Sequence, residues 1–180
     1  MNIVLLTHER ELTRPTNTGQ LALAHFPQYC KQLVWSRINP DKGLQQACQT
    51  GEALLLFPAI DKPATSNVDS DLALISADDI AQGDAKTGTQ KSIIILDATW
   101  QEARKMVRQS PYLQQANRLE LQAIQDSTYQ LRRNQVQGGL CTLECVQLLF
   151  SQAGLFAQAA QLGDAFAEFN RRGQSINPID

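Results

Sequence analysis

One stretch, Lys91–Arg108, constrains the fold of this chain more than any other. It opens with a short apolar run, Ile93–Leu96, which is typical of a strand buried on both faces of a parallel sheet. The run stops at Asp97, and Thr99 and Glu102 then match the S/T-x-x-E pattern of a helix N-terminus. A strand that ends in an acidic residue and leads into a helix is typical of the edge where open α/β sheets bind ligands. The segment that begins at Asp97 is therefore the first candidate site.

The rest of the chain alternates in the same way. Apolar runs predict further strands at Ile3–Leu6, Lys31–Trp35, Ala53–Phe57, Leu72–Ile75 and Arg118–Leu121. Amphipathic segments predict helices from Leu21, near Leu44–Cys48, after Thr99, over Leu140–Ala153 and over Phe156–Phe169, with Tyr112–Ala116 as a helix end. This alternation indicates a single α/β domain over residues 1–180, with a mainly parallel sheet and helices on both faces. The loops His8–Gly19, Pro58–Asp71 and Asp97–Trp100 follow strand ends, so they can converge on one edge of the sheet.

Charge is unevenly distributed, although the formal net charge is only −2. Between Trp100 and Arg133 there are six Lys or Arg residues against three acidic ones, whereas six Asp residues and one Lys lie between Asp61 and Asp84. The basic stretch follows the candidate site and is compatible with a local nucleic-acid surface. A solvated helix face explains the same pattern equally well.

The four cysteines show no C-x-x-C pair and no ligand-like spacing with the two histidines. We therefore interpret them as small buried hydrophobic residues and expect no metal site. No apolar run approaches the ~20 residues of a membrane span, and charge appears too early for a signal peptide. A cytoplasmic protein without a membrane partner is expected. The absence of GxGxxG and GxxxxGK[ST] leaves no dinucleotide fingerprint or P-loop.

Five ordered blocks of this chain resemble the DTW-domain family. The first carries the D-x-T-W signature as Asp97-Ala98-Thr99-Trp100 and continues with Gln101, Ala103, Arg104, Lys105, Met106, Ser110 and Pro111. The others comprise His8, Glu11, Arg14, Asn17, Thr18 and Gly19; Leu56, Phe57 and Pro58; Ser127, Tyr129, Arg132 and Arg133; and Leu140, Thr142 and Glu144. The family's usual residues are replaced by Glu9, Ala98, Gln135, Cys141 and Cys145. The cysteine-rich zinc element of many members is absent, so metal binding is not carried over.

The resemblance implies a SPOUT-like α/β fold, usually with a knotted C-terminal part. It also implies S-adenosylmethionine (SAM) as co-substrate and tRNA as partner. No obligate protein partner is evident from the sequence, and we expect a monomer or a homodimer. The family's activity is transfer of the 3-amino-3-carboxypropyl group to N3 of a tRNA uridine. The products are the modified uridine acp3U and methylthioadenosine.

Two residues are the candidates for catalysis. Asp97 is expected to act as the base for uracil N3 or to orient the substrate; alternatively, it caps its own turn. On the first interpretation, Asp97→Ala abolishes transfer while the fold and the SAM affinity are largely kept. Trp100 either stacks on uracil or adenine, or anchors its helix to the core.

The binding residues follow from the same resemblance. The positions expected to contact SAM are Asn17, Thr18, Gly19, Phe57, Pro58, Thr99, Thr142 and Glu144, although several of them serve equally well as helix starts and caps. Those expected to contact RNA are His8, Arg14, Arg104, Lys105, Arg108, Arg132 and Arg133, and His8, Glu11 and Arg14 together suggest a small charged network. The alternative functions are a SPOUT-type RNA methyltransferase, a non-catalytic RNA-binding domain and aminocarboxypropyl transfer to rRNA.

Overall fold

A computed structural model describes residues 1–57, 91–119, 129 and 139–176 of the chain. The first part contains β1 (Asn2–Thr7), a 3-10 turn (Glu9–Glu11), α1 (Gly19–His25), β2 (Cys30–Val34), α2 (Lys42–Thr50) and β3 (Ala53–Leu56). The second part contains β4 (Ser92–Asp97), α3 (Trp100–Gln109), α4 (Pro111–Gln115), β5 (Asn117–Leu119), α5 (Thr142–Gln152) and α6 (Phe156–Ile176).

The five described strands form one parallel sheet in the order β2-β1-β4-β3-β5. The central pair, β1 and β4, is in register from Asn2 opposite Ser92 to Thr7 opposite Asp97. Since all strands run the same way, their carboxyl ends meet at one edge. The predicted α/β class and parallel sheet are confirmed.

The two faces of this sheet are covered by different helices. On one face, alternate strand residues pack against α1, α5 and α6; they include Ile3, Leu5, Ile93 and Ile95. On the other face, the intervening residues pack against α2, α3 and α4; they include Val4, Leu6, Ile94 and Leu96. Full burial of such a side chain contributes about 1.5–3 kcal/mol relative to exposure. The central strands are therefore buried on both sides, as the run Ile93–Leu96 predicts.

The predicted elements that fall on described residues are present, several of them with bounds shifted by one or a few residues, and the helix predicted over Phe156–Phe169 continues to Ile176. The helix predicted from Leu21 already begins at Gly19. The segment Tyr112–Ala116, interpreted as a helix end, belongs to the separate helix α4, which Pro111 opens at a position where its missing N–H costs nothing. The predicted strand Leu72–Ile75 lies outside the described residues. The expected C-terminal knot stays a prediction.

Candidate active site

Asp97 is the residue around which the carboxyl edge of the sheet is organised. It is the last residue of β4 and is 2% exposed. Its Oδ2 accepts hydrogen bonds from Thr7 Oγ1 at 3.1 Å and from Asn17 Nδ2 at 2.9 Å, and its Oδ1 accepts one from Thr142 Oγ1 at 2.9 Å. The carboxylate thereby joins the end of β1, the segment before α1 and the first turn of α5.

The segment before α1 is shaped by Asn17. Its Nδ2 also donates to the carbonyl oxygen of Glu11 at 2.9 Å, and its Oδ1 accepts from the backbone N–H of Gly19 at 2.7 Å. A Cβ atom on Gly19 would lie 2.9 Å from Oδ1 of Asp97, so only glycine leaves room for the carboxylate. The segment thus starts a helix, as one interpretation expected, and also reaches the candidate site.

Thr7 and Gln32 extend the contacts of Asp97 into the sheet. Thr7 is completely buried, and its hydroxyl oxygen accepts a hydrogen bond from Gln32 Nε2 at 3.1 Å while donating to Asp97. Neither residue was among the sequence-predicted site residues. The register that places Thr7 opposite Asp97 joins positions 90 residues apart, so no local pattern shows it.

The predicted capping box at the start of α3 is confirmed. Thr99 Oγ1 accepts from the backbone N–H of Glu102 at 3.3 Å, and Glu102 Oε2 accepts from the Thr99 N–H at 3.0 Å and from the Thr99 hydroxyl at 2.7 Å. Burial raises the pKa of Glu102, but the Thr99 hydrogen bonds and the charges of His8 and Arg14 outweigh it, so the net pKa lies below its ordinary value. The side chain of Thr99 is therefore occupied as a cap.

Trp100 lies beside Phe57, which follows β3 and also contacts Arg118 of β5. Its partly buried ring packs on the core, 6.1 Å from the ring of Phe57 between centroids. The guanidinium carbon of Arg118 lies 5.3 Å from the Phe57 centroid on a side chain that is 8% exposed. Trp100 thus anchors its helix, as one interpretation expected, and keeps part of its surface accessible. The sequence placed Arg118 in a predicted strand and in the basic stretch, but not among the candidate site residues.

The predicted network of His8, Glu11 and Arg14 is only partly formed by direct contacts. Arg14 Nη1 pairs with the buried Glu11 Oε1 at 2.6 Å. His8 instead stacks on Trp35, with centroids 5.5 Å apart, and its Nδ1 lies 4.0 Å from Glu102 Oε1. The same Nδ1 accepts from the Arg10 N–H at 3.3 Å and caps the 3-10 turn, and His8 is 6% exposed. His8 therefore has a structural role at the edge of the site.

The start of α5 divides its two candidate residues between different roles. Glu144 Oε2 accepts from the backbone N–H of Cys141 at 2.8 Å and is thus part of a helix cap. Thr142 points to Asp97, and the next N–H, that of Leu143, donates to Thr18 Oγ1 at 3.4 Å. The start of α5 is thereby attached to the start of α1.

The basic residues of α3 lie apart from these contacts. Arg104, Lys105 and Arg108 are exposed, whereas Ala103, Met106 and Val107 on the opposite side are buried. Of the other sequence-predicted positions, Pro58, Arg132 and Arg133 lie outside the described residues. Within the described ranges, no three His, Cys, Asp or Glu side chains are grouped to hold a metal ion, and no helix is long and apolar enough to cross a membrane.

Comparison with known proteins connects this arrangement to one family. The DTW domain matches residues 1–173 of the chain. The tRNA-uridine aminocarboxypropyltransferase 2 of Drosophila melanogaster is 26% identical over 161 residues, covering 85% of this chain. The chain spans 58% of that relative's length. No solved structure shows a significant match.

Proposed function

This chain belongs to the DTW domain family, and on that premise we propose that it transfers the 3-amino-3-carboxypropyl group of SAM to N3 of a uridine in tRNA. The name of the Drosophila relative supports this acceptor and this group. The observation that carries the proposal is the convergence on Asp97 of Asn17 and Thr142, which are 80 and 45 residues away in sequence. Side chains from three separate family-like blocks thus meet at the edge where parallel sheets bind ligands, and this supports a single site there.

The residues at this edge suit the proposed donor. SAM carries a sulfonium and an ammonium, and the buried carboxylate of Asp97 gives the edge a negative charge that attracts such cations. Other polar groups at this edge are the hydroxyl groups of Thr18 and Thr142 and the backbone amides at the start of α3, and the backbone at Gly19 lies close to the carboxylate. Backbone amides at a helix start favour a carboxylate such as that of the donor's amino-acid part. Phe57, Pro58, Thr99 and Glu144 complete the proposed donor-binding set.

The reaction is a displacement at the carbon of the 3-amino-3-carboxypropyl group that is bonded to the sulfonium sulfur. A bond forms between uracil N3 and that carbon, the carbon–sulfur bond breaks, and its electron pair goes to sulfur as methylthioadenosine leaves. N3 must lose its proton, so a group that accepts it or orients the uracil accelerates the step. The accessible part of Trp100, next to Phe57, offers an aromatic surface on which the uracil stacks.

The exposed cations of α3 supply the proposed tRNA surface. Arg104, Lys105 and Arg108 follow the candidate site directly in the chain and lie on the solvent side of α3. Contacts of this kind attract phosphates without reading sequence. The remaining proposed RNA contacts are Arg14, Arg132 and Arg133, whereas His8, also predicted from the resemblance, is buried and caps the 3-10 turn.

Product analysis of a reaction with purified chain, SAM and unmodified tRNA tests the proposal. We expect methylthioadenosine and acp3U in equal amounts. S-adenosylhomocysteine and a methylated uridine would identify a methyltransferase instead. Absence of SAM binding would favour a non-catalytic RNA-binding domain, and transfer only to rRNA would exclude tRNA as the acceptor.

A further inference from the structure

The environment of Asp97 leaves little room for proton transfer. A carboxylate offers about four acceptor positions, and side chains of Thr7, Asn17 and Thr142 occupy three of them. Gly19 lies against the carboxylate, where an added Cβ would be within 2.9–3.0 Å of its carbon and both oxygens. The residue is only 2% exposed. A base must bring its acceptor atom to about 2.6–3.2 Å from the proton-bearing atom of the substrate.

We propose that Asp97 is a positioning residue at the centre of a hydrogen-bonded group, which we call the carboxylate clamp, and that it does not accept the proton of uracil N3. The clamp comprises Asp97 and its three donors, Thr7, Asn17 and Thr142. It holds the turn before α1 and the first turn of α5 against the end of β4. That these two segments form two sides of the donor pocket rests on the proposed function. The hydrogen bonds of the clamp do not depend on it.

The physical basis is the strength and reach of these hydrogen bonds. Bonds to an ionised acceptor are about twice as strong as neutral ones, and burial strengthens them further. The donors come from positions 90, 80 and 45 residues away from Asp97. Because the pairing of β1 with β4 already holds Thr7 beside Asp97, loss of the charge releases mainly the turn before α1 and the first turn of α5.

Hydrogen exchange of the ligand-free chain tests the clamp independently of any activity. Asp97→Asn keeps the shape of the side chain but replaces one acceptor oxygen by a donor group. We expect amides at 17–20 and 142–145 to exchange at least about tenfold faster, since a bond to a charged group is lost at each segment. Amides of α2 should be unchanged and serve as the internal control. Unchanged exchange at the two segments would overturn the proposal.

Thr7 provides a milder probe because it is completely buried and has no path to the substrate. Thr7→Val removes the hydroxyl donor to Asp97 at nearly constant volume, whereas Thr7→Ser retains the donor. We expect SAM affinity to fall about tenfold in the first variant and to stay within about twofold in the second. The shape of the pH profile of kcat should be the same in both. Equal SAM affinities for the two variants would contradict the clamp.

A proton-accepting Asp97 gives a different set of results. Asp97→Asn would then lose kcat by about 10²–10⁴ with unchanged SAM affinity and unchanged exchange, which would overturn our proposal. Failure of the proposed function appears elsewhere, as wild-type chain that binds no SAM. In that case the exchange experiment still decides whether the clamp exists.

Discussion

Gly19 lies so close to Asp97 that a Cβ atom at position 19 would be 2.9 Å from Oδ1 of the carboxylate. Its backbone does not require glycine, because the positive-φ glycines of the described chain are Gly51 and Gly154. We expect Gly19→Ala to displace the carboxylate. The better helix propensity of alanine contributes about 1 kcal/mol, but overpacking costs about 1–3 kcal/mol. The variant should lose SAM affinity, measured by calorimetry, and its Tm should fall by a few degrees.

Gly163→Ala is the matched control for that variant. A Cβ at Gly163 would lie 3.0 Å from Nε2 of Gln147, the end of a flexible side chain that can move aside. The same substitution within a helix should therefore be neutral or slightly stabilising and leave SAM binding unchanged. Equal effects of the two substitutions would show that the contact with Asp97 has no special importance.

The clamp also changes the expectation for Asp97→Ala. The sequence alone predicts loss of transfer with fold and SAM affinity largely kept. Because alanine leaves Thr7, Asn17 and Thr142 without their acceptor, we now expect Asp97→Ala to lose stability and donor affinity as well. Urea unfolding and calorimetry measure both quantities in the same preparation. Wild-type stability and SAM affinity would contradict this expectation.

The capping box at α3 should contribute measurably to stability. Thr99→Ala removes the side chain that accepts from the Glu102 N–H, and loss of such a cap typically costs about 1 kcal/mol. Thr99→Ser keeps the hydroxyl and should cost only a fraction of that. The free energy of unfolding from urea titration distinguishes the two variants. If Thr99→Ala were as stable as Thr99→Ser, the cap would contribute nothing.

Glu102 makes the stability depend on acidic pH. Its folded pKa lies below the ordinary value, because the Thr99 hydrogen bonds and the charges of His8 and Arg14 outweigh the opposing effect of burial. The resulting stability is present above the unfolded pKa of about 4.3 and is lost as pH falls through the lower folded value. Glu102→Gln should therefore lose less stability than wild type as the pH falls from about 5 to about 3, a range that brackets the ordinary pKa of a glutamate side chain. An identical pH dependence of unfolding would contradict this assignment.

The exposed cations of α3 should determine how tRNA binding responds to salt. Lys105→Ala and Arg108→Ala should each reduce the slope of log affinity against log salt by about 0.7–0.9, if each side chain neutralises one phosphate. Arg172→Ala removes the same charge from the exposed surface of α6 and should leave the slope unchanged. Filter binding measures the tRNA affinity between about 50 and about 200 mM salt, a range in which such slopes are large. A slope that changes equally in all three variants would indicate a general charge effect.

The buried thiols of Cys30 and Cys48 test the packing on the two faces of the sheet, because one lies in each hydrophobic cluster. Burial raises the pKa of Cys30 to about 12 and that of Cys48 to about 11. The folded chain therefore holds these thiols protonated, and this contribution to stability is complete below the unfolded value of about 8.5 and is lost as pH rises toward the folded values. Neither should react with iodoacetamide at neutral pH until denaturant is added, as peptide mass spectrometry can show. Rapid alkylation of the native chain would contradict the described packing.

Local sequence patterns predicted the parts of the fold that local physics determines. The run Ile93–Leu96 became a doubly buried strand, and the spacing of Thr99 and Glu102 became a capping box. Both depend on residues within a few positions of one another. The α/β class followed from the alternation of such segments.

The contacts of the site could not be predicted in the same way. Thr7 meets Asp97 only because β1 and β4 pair in one particular register, and Gln32 joins them from the next strand. Arg118 stacks on Phe57 because β5 pairs with β3. These relations depend on strand order, which periodicity does not encode. The resemblance gathered Asn17, Thr142 and Asp97 into one candidate site, but the structure was needed to show that one carboxylate joins them.

Nucleoside mass spectrometry of tRNA tests the central claim most directly. It would compare tRNA from cells that carry this chain with tRNA from otherwise identical cells that lack it. We expect acp3U in the first sample, its loss in the second and its return when the chain is restored. Unchanged acp3U in cells without the chain, or loss of a methylated nucleoside instead, would contradict the proposed transfer.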